Sequence, residues 1–194
     1  MTRGVSSTAA SSSTVGADSA PRLNSLPPVA DSRARVLVLG SMPGAASLLE
    51  QRYYAHPRNL FWPMMERHLG IDAAAPYAER LQALCDCGVA LWDVLAACQR
   101  RGSLDGAIDR ASERPNDVPD LLDKAPGIDT VLLNGARAAT MFRRHLEATC
   151  LRRRPELRVL RLPSTSPANQ SIPLAQREAA WAAVAEHERR LARD

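Results

Sequence analysis

From residue 33 to residue 162, short apolar runs alternate with polar or glycine-bearing turns and with stretches whose apolar residues recur at helical spacing. Such alternation predicts repeated strand–helix units and a parallel sheet. Four runs read as strands, at 36–39, 89–91, 130–133 and 157–162. The first and third are β-branched and Leu runs without polar interruption, as expected of strands covered on both faces. Helices are expected at 45–52, 60–69, 77–85, 117–124, 136–148 and 174–192. The last opens after Pro173 and carries Ala180, Trp181, Val184 and Leu191 on one side, which makes Trp181 a core anchor.

Residues 1–31 break this rhythm. They are rich in Ser, Ala, Thr and Pro, show no apolar period, and cannot bury enough surface to offset the entropy of ordering, so a disordered tail is expected there and a single domain over 32–194. The tail lacks the hydrophobic stretch of a secretory signal, and Arg3 and Arg22 are too few for a transit peptide. Every long apolar segment is broken by Arg, Glu or Pro well short of the roughly 20 residues that cross a bilayer, so a soluble cytoplasmic protein without membrane contact is expected.

Composition adds two points. The 194 residues carry a formal net charge of +4, which favours polyanions weakly. Lys124 is the sole lysine, so the positive charge is nearly all arginine, whose planar fork suits phosphate as well as carboxylate. Cys85, Cys87, Cys98 and Cys150 form neither paired CxxC motifs nor a disulfide framework, and no His stands at ligand spacing to Cys85 and Cys87, so reduced thiols and no metal are expected.

Ligands of open parallel sheets bind beyond the carboxyl ends of the strands. The four exits are GSMPG from Gly40 to Gly44, Trp92-Asp93, Asn134-Gly135, and the segment from Pro163 through Ser164, Thr165 and Ser166 to Asn169. Gly40 and Gly44 let backbone approach a ligand, although the segment also serves as a plain strand-to-helix turn. It matches neither a dinucleotide fingerprint nor a P-loop. Half of all Phe, Tyr and Trp residues fall within YYAHPRNLFW, residues 53–62. Core packing accounts for Phe61 and Trp62 but less well for Tyr54, His56 and Asn59, whose polar atoms need partners. A flat ring beside an amide suits a planar heterocycle. Asp93 either caps a helix over 94–98 or presents its carboxylate at the rim. Arg100, Arg101 and Ser103, and the run Arg152–Arg154, are solvated faces or phosphate contacts.

In chain order, LGSMPGAASL, YYAHPRNLFW, GVALWDVLAACQRRGSLDGAI, VLLNGARAATMF and LPSTSPANQSIP resemble the conserved blocks of the uracil-DNA glycosylase superfamily, most closely its DNA-deoxyinosine (hypoxanthine-DNA) glycosylase branch. The resemblance covers about residues 35–190. It implies an α/β, three-layer αβα fold around a four-stranded parallel sheet, and a base-excision repair enzyme that flips a deaminated base from double-stranded DNA and hydrolyses its N-glycosidic bond without metal or cofactor, as a monomer. Met42 stands where uracil-specific members carry a water-activating Asp or Asn, Leu162 stands where they carry a His, and Asp93 replaces an Asn that reads the base edge.

The resemblance implies that Tyr54 stacks the extruded base and that Asn59 supplies the catalytic amide. An amide is no useful base, so Asn59 should position rather than deprotonate. Asp93, an acceptor, suits the N1–H of hypoxanthine or the N3–H of uracil. Gly40, Ser41, Met42, His56 and Asn134 complete the expected base pocket, with Ser41 offering a backbone N–H. Arg100, Ser103, Ser164, Thr165, Ser166 and Asn169 are expected on DNA, the loop from Pro163 to Ile172 pinching the backbone and wedging the gap, with salt-sensitive duplex binding. The rivals are a glycosylase acting mainly on uracil or mismatched pyrimidines, a DNA-binding protein without turnover, and a nucleotide-binding protein unrelated to repair.

Overall fold

The computed structural model describes residues 20–186. Four strands, β2 (Val36–Gly40), β3 (Val89–Asp93), β6 (Thr130–Asn134) and β7 (Arg158–Leu162), form a parallel sheet in the order β3-β2-β6-β7. Alternation within the strands divides the interior in two. Val36, Val38, Val89, Leu91 and Leu132 face α2 (Phe61–Leu69), α3 (Tyr77–Asp86) and α7 (Leu174–Trp181). Leu37, Leu39, Ala90, Val131 and Leu133 face α4 (Val118–Lys124), α5 (Ala136–His145) and α6 (Glu147–Arg153). Successive strand residues point to opposite faces, so these uninterrupted apolar runs feed both layers of an αβα sandwich, as expected. Trp181 is fully buried and its indole N–H donates to Pro163 O at 2.9 Å.

Four expectations fail. The tail does not extend to residue 31: β1 (Arg22–Asn24) pairs antiparallel with β4 (Leu95–Gln99), Leu26 is buried, and Val29 bridges Leu91. This segment gains its backbone partners from a distant strand, which apolar periodicity cannot reveal; residues 1–19 lie outside the described residues. Residues 94–98 do not form a helix for Asp93 to cap. Despite the helix-favouring Leu and Ala residues, β4 lies between β1 and β5 (Arg114–Pro115) in a second, antiparallel sheet, where pairing on both sides overrides weak local propensity. The expected helix over 136–148 is two, α5 and α6, broken at Leu146, where φ is −126°. The expected final helix yields to a 3-10 turn at Ala182–Ala185, and residues 187–192 of that expectation lie outside the described residues.

Candidate active site

A cavity of about 770 Å³ opens at the carboxyl edge of the parallel sheet, within the size range of small-molecule sites. Its floor is Gly40 and Asp93, which are register partners at the ends of β2 and β3. A Cβ on Gly40 would overlap Asp93 Oδ1, so only glycine lets this carboxylate lie across the neighbouring strand. The Ser25 hydroxyl donates to Asp93 Oδ2 at 3.0 Å. Asp93 is 4% exposed, and burial pushes its carboxyl up to about 7.

One wall is the segment before α2. Tyr54 adopts a left-handed backbone, φ +54°, which is uncommon for an aromatic residue. Its ring stacks on Phe61 at 4.0 Å and 22°, and Phe61 in turn meets Trp62 and Trp181 edge-on. Burial holds the Tyr54 hydroxyl well above the usual phenol range. Asn59 Oδ1 accepts from Phe61 N at 2.9 Å, locking the turn into α2, while its Nδ2 has no partner among the described residues. His56 Nδ1 accepts from Arg58 N at 3.1 Å, so the neutral ring carries its proton on Nε2 and is a donor to the cavity.

Asn134 knots three loops. Its Nδ2 donates to Tyr54 Oη at 3.1 Å and to Thr165 Oγ1 at 2.9 Å, and its Oδ1 accepts from Thr165 N at 2.9 Å. Gly135 follows with φ +101°, and a Cβ there would stand 2.8 Å from Ser164 Cβ, so glycine allows the β6 and β7 exits to touch. Within the exit loop of β7, Ser164 Oγ accepts from Ser166 N, Ser166 Oγ accepts from Ala168 N, and Asn169 Nδ2 donates to Ser164 O. Both hydroxyls act as acceptors here, which leaves each O–H to donate outward.

The opposite wall joins Ser41, Met42 and Ser103 to Asp105. Ser103 Oγ accepts from Ala45 N at 3.3 Å, and the Ser41 hydroxyl donates to Asp105 Oδ2. Thus Gly40, Ser41, Met42, Tyr54, His56, Asn59, Asp93, Ser103, Asn134, Ser164, Thr165, Ser166 and Asn169 all line this cavity.

Two residues expected on DNA are buried. Arg100 is 1% exposed; its Nη2 donates to Pro43 O at 2.6 Å and its Nε to Gly102 O at 3.0 Å, so it braces the GSMPG loop from behind. Thr165 is likewise 1% exposed and spent on Asn134. Arg153 and Arg154 are occupied by Asp123, Glu156 and backbone carbonyls. Sequence reasoning missed Asp105 and Ser25: the first lies inside a quoted block without a distinguishing spacing, the second inside the supposed tail. Among the described residues no group of His, Cys, Asp and Glu is placed to hold a metal, and no helix is long and apolar enough to cross a membrane.

Comparison with known proteins is consistent with this geometry. The family model described as the uracil DNA glycosylase superfamily matches residues 27–185. A hypoxanthine DNA glycosylase of Methanosarcina acetivorans is 33% identical over 162 residues, 83% of this chain and 96% of that protein. One from Methanosarcina barkeri is 39% identical over 113 residues, 58% of this chain and 70% of that protein. The solution NMR structure of a candidate uracil DNA glycosylase from Methanosarcina acetivorans superposes with a TM-score of 0.72 at 31% identity, covering 86% of this chain and 98% of that one.

Proposed function

The chain belongs to the uracil DNA glycosylase superfamily, and from that premise we propose that it excises hypoxanthine from deoxyinosine in duplex DNA by hydrolysis of the N-glycosidic bond. It is a DNA glycosylase for deaminated bases. The observation that carries the hypoxanthine reading is a buried carboxylate on the floor of a cavity roomy enough for a purine and walled by an aromatic ring. Asp93 accepts the N1–H of the extruded base, the free face of Tyr54 stacks on it while Phe61 backs the other face, and Ser41 N–H and His56 Nε2–H donate to its acceptors. Asn59 has its oxygen committed to the α2 turn and uses its Nδ2 group to orient water or base. Met42 supplies apolar wall and Asn134 holds Tyr54 in place.

Extruding a nucleotide costs a few kcal/mol, and phosphate contacts offset it. Ser103, Ser164, Ser166 and Asn169 supply these contacts at the cavity rim, with Arg58 and Arg177 beside the loop that ends at Ile172. The folded region acts as one domain and as a monomer. None of the four cysteines is in a disulfide, which suits the reducing cytoplasm.

The test is single-turnover excision from duplexes carrying deoxyinosine, deoxyuridine, deoxyxanthosine or ethenodeoxycytidine, at equal enzyme excess. Deoxyinosine is expected to yield alkali-labile product fastest. Faster uracil release would make uracil the main substrate, and tight binding without product would make the protein a binder. Asn59→Asp, which keeps the acceptor for Phe61 N, should slow base release about 10²–10³-fold with little change in melting temperature. Undiminished excision would remove Asn59 from the mechanism.

A further inference from the structure

One carboxylate at the cavity wall has no part in the reading so far. Asp105 opens a 3-10 turn, Asp105–Ala107, beyond β4, and its side chain is 31% exposed. It is held from two sides. The Ser41 hydroxyl donates to Oδ2, and Nη1 of the buried Arg100, which has no hydrogen-bond partner, stands 3.7 Å from Oδ1. Arg100 is therefore fixed by Pro43 and Gly102 carbonyls through its other nitrogens while its remaining charge points at Asp105. A solvated surface acid has no such mounting.

Hydrolysis of an N-glycosidic bond needs a group that takes a proton from the attacking water. Few groups at this cavity qualify. Asn59 is an amide and Met42 a thioether. His56 presents an N–H, because its Nδ1 already accepts from Arg58. Asp93 lies pinned at the floor between Gly40 and Ser25, committed to the base edge.

We propose that Asp105 is the catalytic base: its carboxylate takes the proton of the attacking water, with Ser41 and Arg100 fixing its position. This rests on the glycosylase reading. As the water oxygen bonds to C1′, the C1′–N9 bond breaks and its electron pair leaves with the base. The proton passes from water to Asp105 and then to the departing base, so the hydroxyl ends on the sugar and Asp105 returns ionised. Groups facing Asp105 are Ser41, Arg100 and Arg137, which favour its ionised form, and Asp93, whose charge opposes it. Burial outweighs the favourable partners and raises the Asp105 carboxyl above the usual range. That places its ionisation nearer to neutrality, where a base is most effective.

The experiment is the rate of hypoxanthine release from a deoxyinosine duplex, single-turnover, from about pH 5 to 9, for wild type, Asp105→Asn and Ser41→Ala. Asn retains an acceptor for the Ser41 hydroxyl, so folding is expected to survive, and melting curves check it. Asp105→Asn should lose about 10²-fold or more at the optimum. The acid limb should also flatten, from the loss of two protons in wild type, Asp93 and Asp105, to one in the variant. A rate within threefold of wild type overturns the proposal, and so does a slower rate with an unchanged two-proton limb, which would mark Asp105 as a brace only. If Asp105→Asn does not fold, Ser41→Ala decides: removing the hydroxyl donor destabilises the carboxylate, so the limb should move to higher pH, and an unmoved limb overturns the role. Wild-type enzyme that releases no base from any substrate would overturn the glycosylase reading instead.

Discussion

Two polar clusters share the carboxyl edge of the sheet and differ in how fully they are satisfied. In the knot at the β6 and β7 exits, Asn134 spends both amide hydrogens and its oxygen on Tyr54 and Thr165. At the β2 and β3 exits, Asp93 lies deeper but receives a single side-chain donor, Ser25, and its carboxyl rises to about 7. A buried polar group whose bonds are all made stabilises its surroundings, whereas one left short of partners is a burden until a ligand completes it. The contrast fits a pocket built by the first cluster and the chemistry proposed for the second.

The largest effect expected from breaking this contrast is at Asp93. Asp93→Asn removes the charge and exchanges one of the two acceptor oxygens proposed to meet Ser25 and N1–H for a donor, and should lower the single-turnover rate about 10²-fold. Stability should move the other way. The unfolded chain releases this proton near 3.8 and the folded protein holds it until about 7, so wild-type stability is fully present at low pH and declines as pH rises across that interval. The amide has no such decline. The variant's melting temperature should therefore exceed that of wild type by a margin that opens between about pH 4 and 7 and reflects a few kcal/mol at most. A margin independent of pH would show that Asp93 carries no burden.

This division was only partly legible in the sequence. The four parallel strands could be read because continuous apolar runs need cover on both faces, and Tyr54, Asn59 and Asp93 stand where strand exits and a dense aromatic segment draw attention. What could not be read depends on partners far along the chain. β1 is three residues long and owes its ladder to β4, so Ser25 behind Asp93 was hidden in an apparent tail. Arg100 reads as surface charge, yet its contacts with the Pro43 and Gly102 carbonyls turn it into a brace. Asp105 becomes visible only once that brace aims at it.

An intermediate effect is expected at the knot. Asn134→Ala leaves Thr165 N–H and the Tyr54 hydroxyl without their partners, and Thr165 is too deep for water to replace them. The cost should be about 2–3 kcal/mol, a fall of roughly 5–10 °C in melting temperature. Base release should slow by about tenfold, since Tyr54 loses the hydrogen bond that ties its hydroxyl to the β6 exit. Asn134→Ala and Asp93→Asn thus shift the melting temperature at neutral pH in opposite directions, and a common direction would erase the distinction between the clusters.

The smallest effect tests where the knot ends and the pocket begins. Tyr54→Phe keeps the ring stacked on Phe61, and with it the surface offered to the base, while removing only the oxygen that accepts from Asn134 Nδ2. Asn134 keeps both of its contacts with Thr165, so the loss should be about 1 kcal/mol or less in denaturant unfolding. Base release should stay within about threefold of wild type, as expected of a side chain proposed to act through its π-face alone. A loss beyond about tenfold, with the stability change still small, would move the Tyr54 hydroxyl out of the knot and into the chemistry, and the line between the two clusters would have to be redrawn through the middle of that side chain.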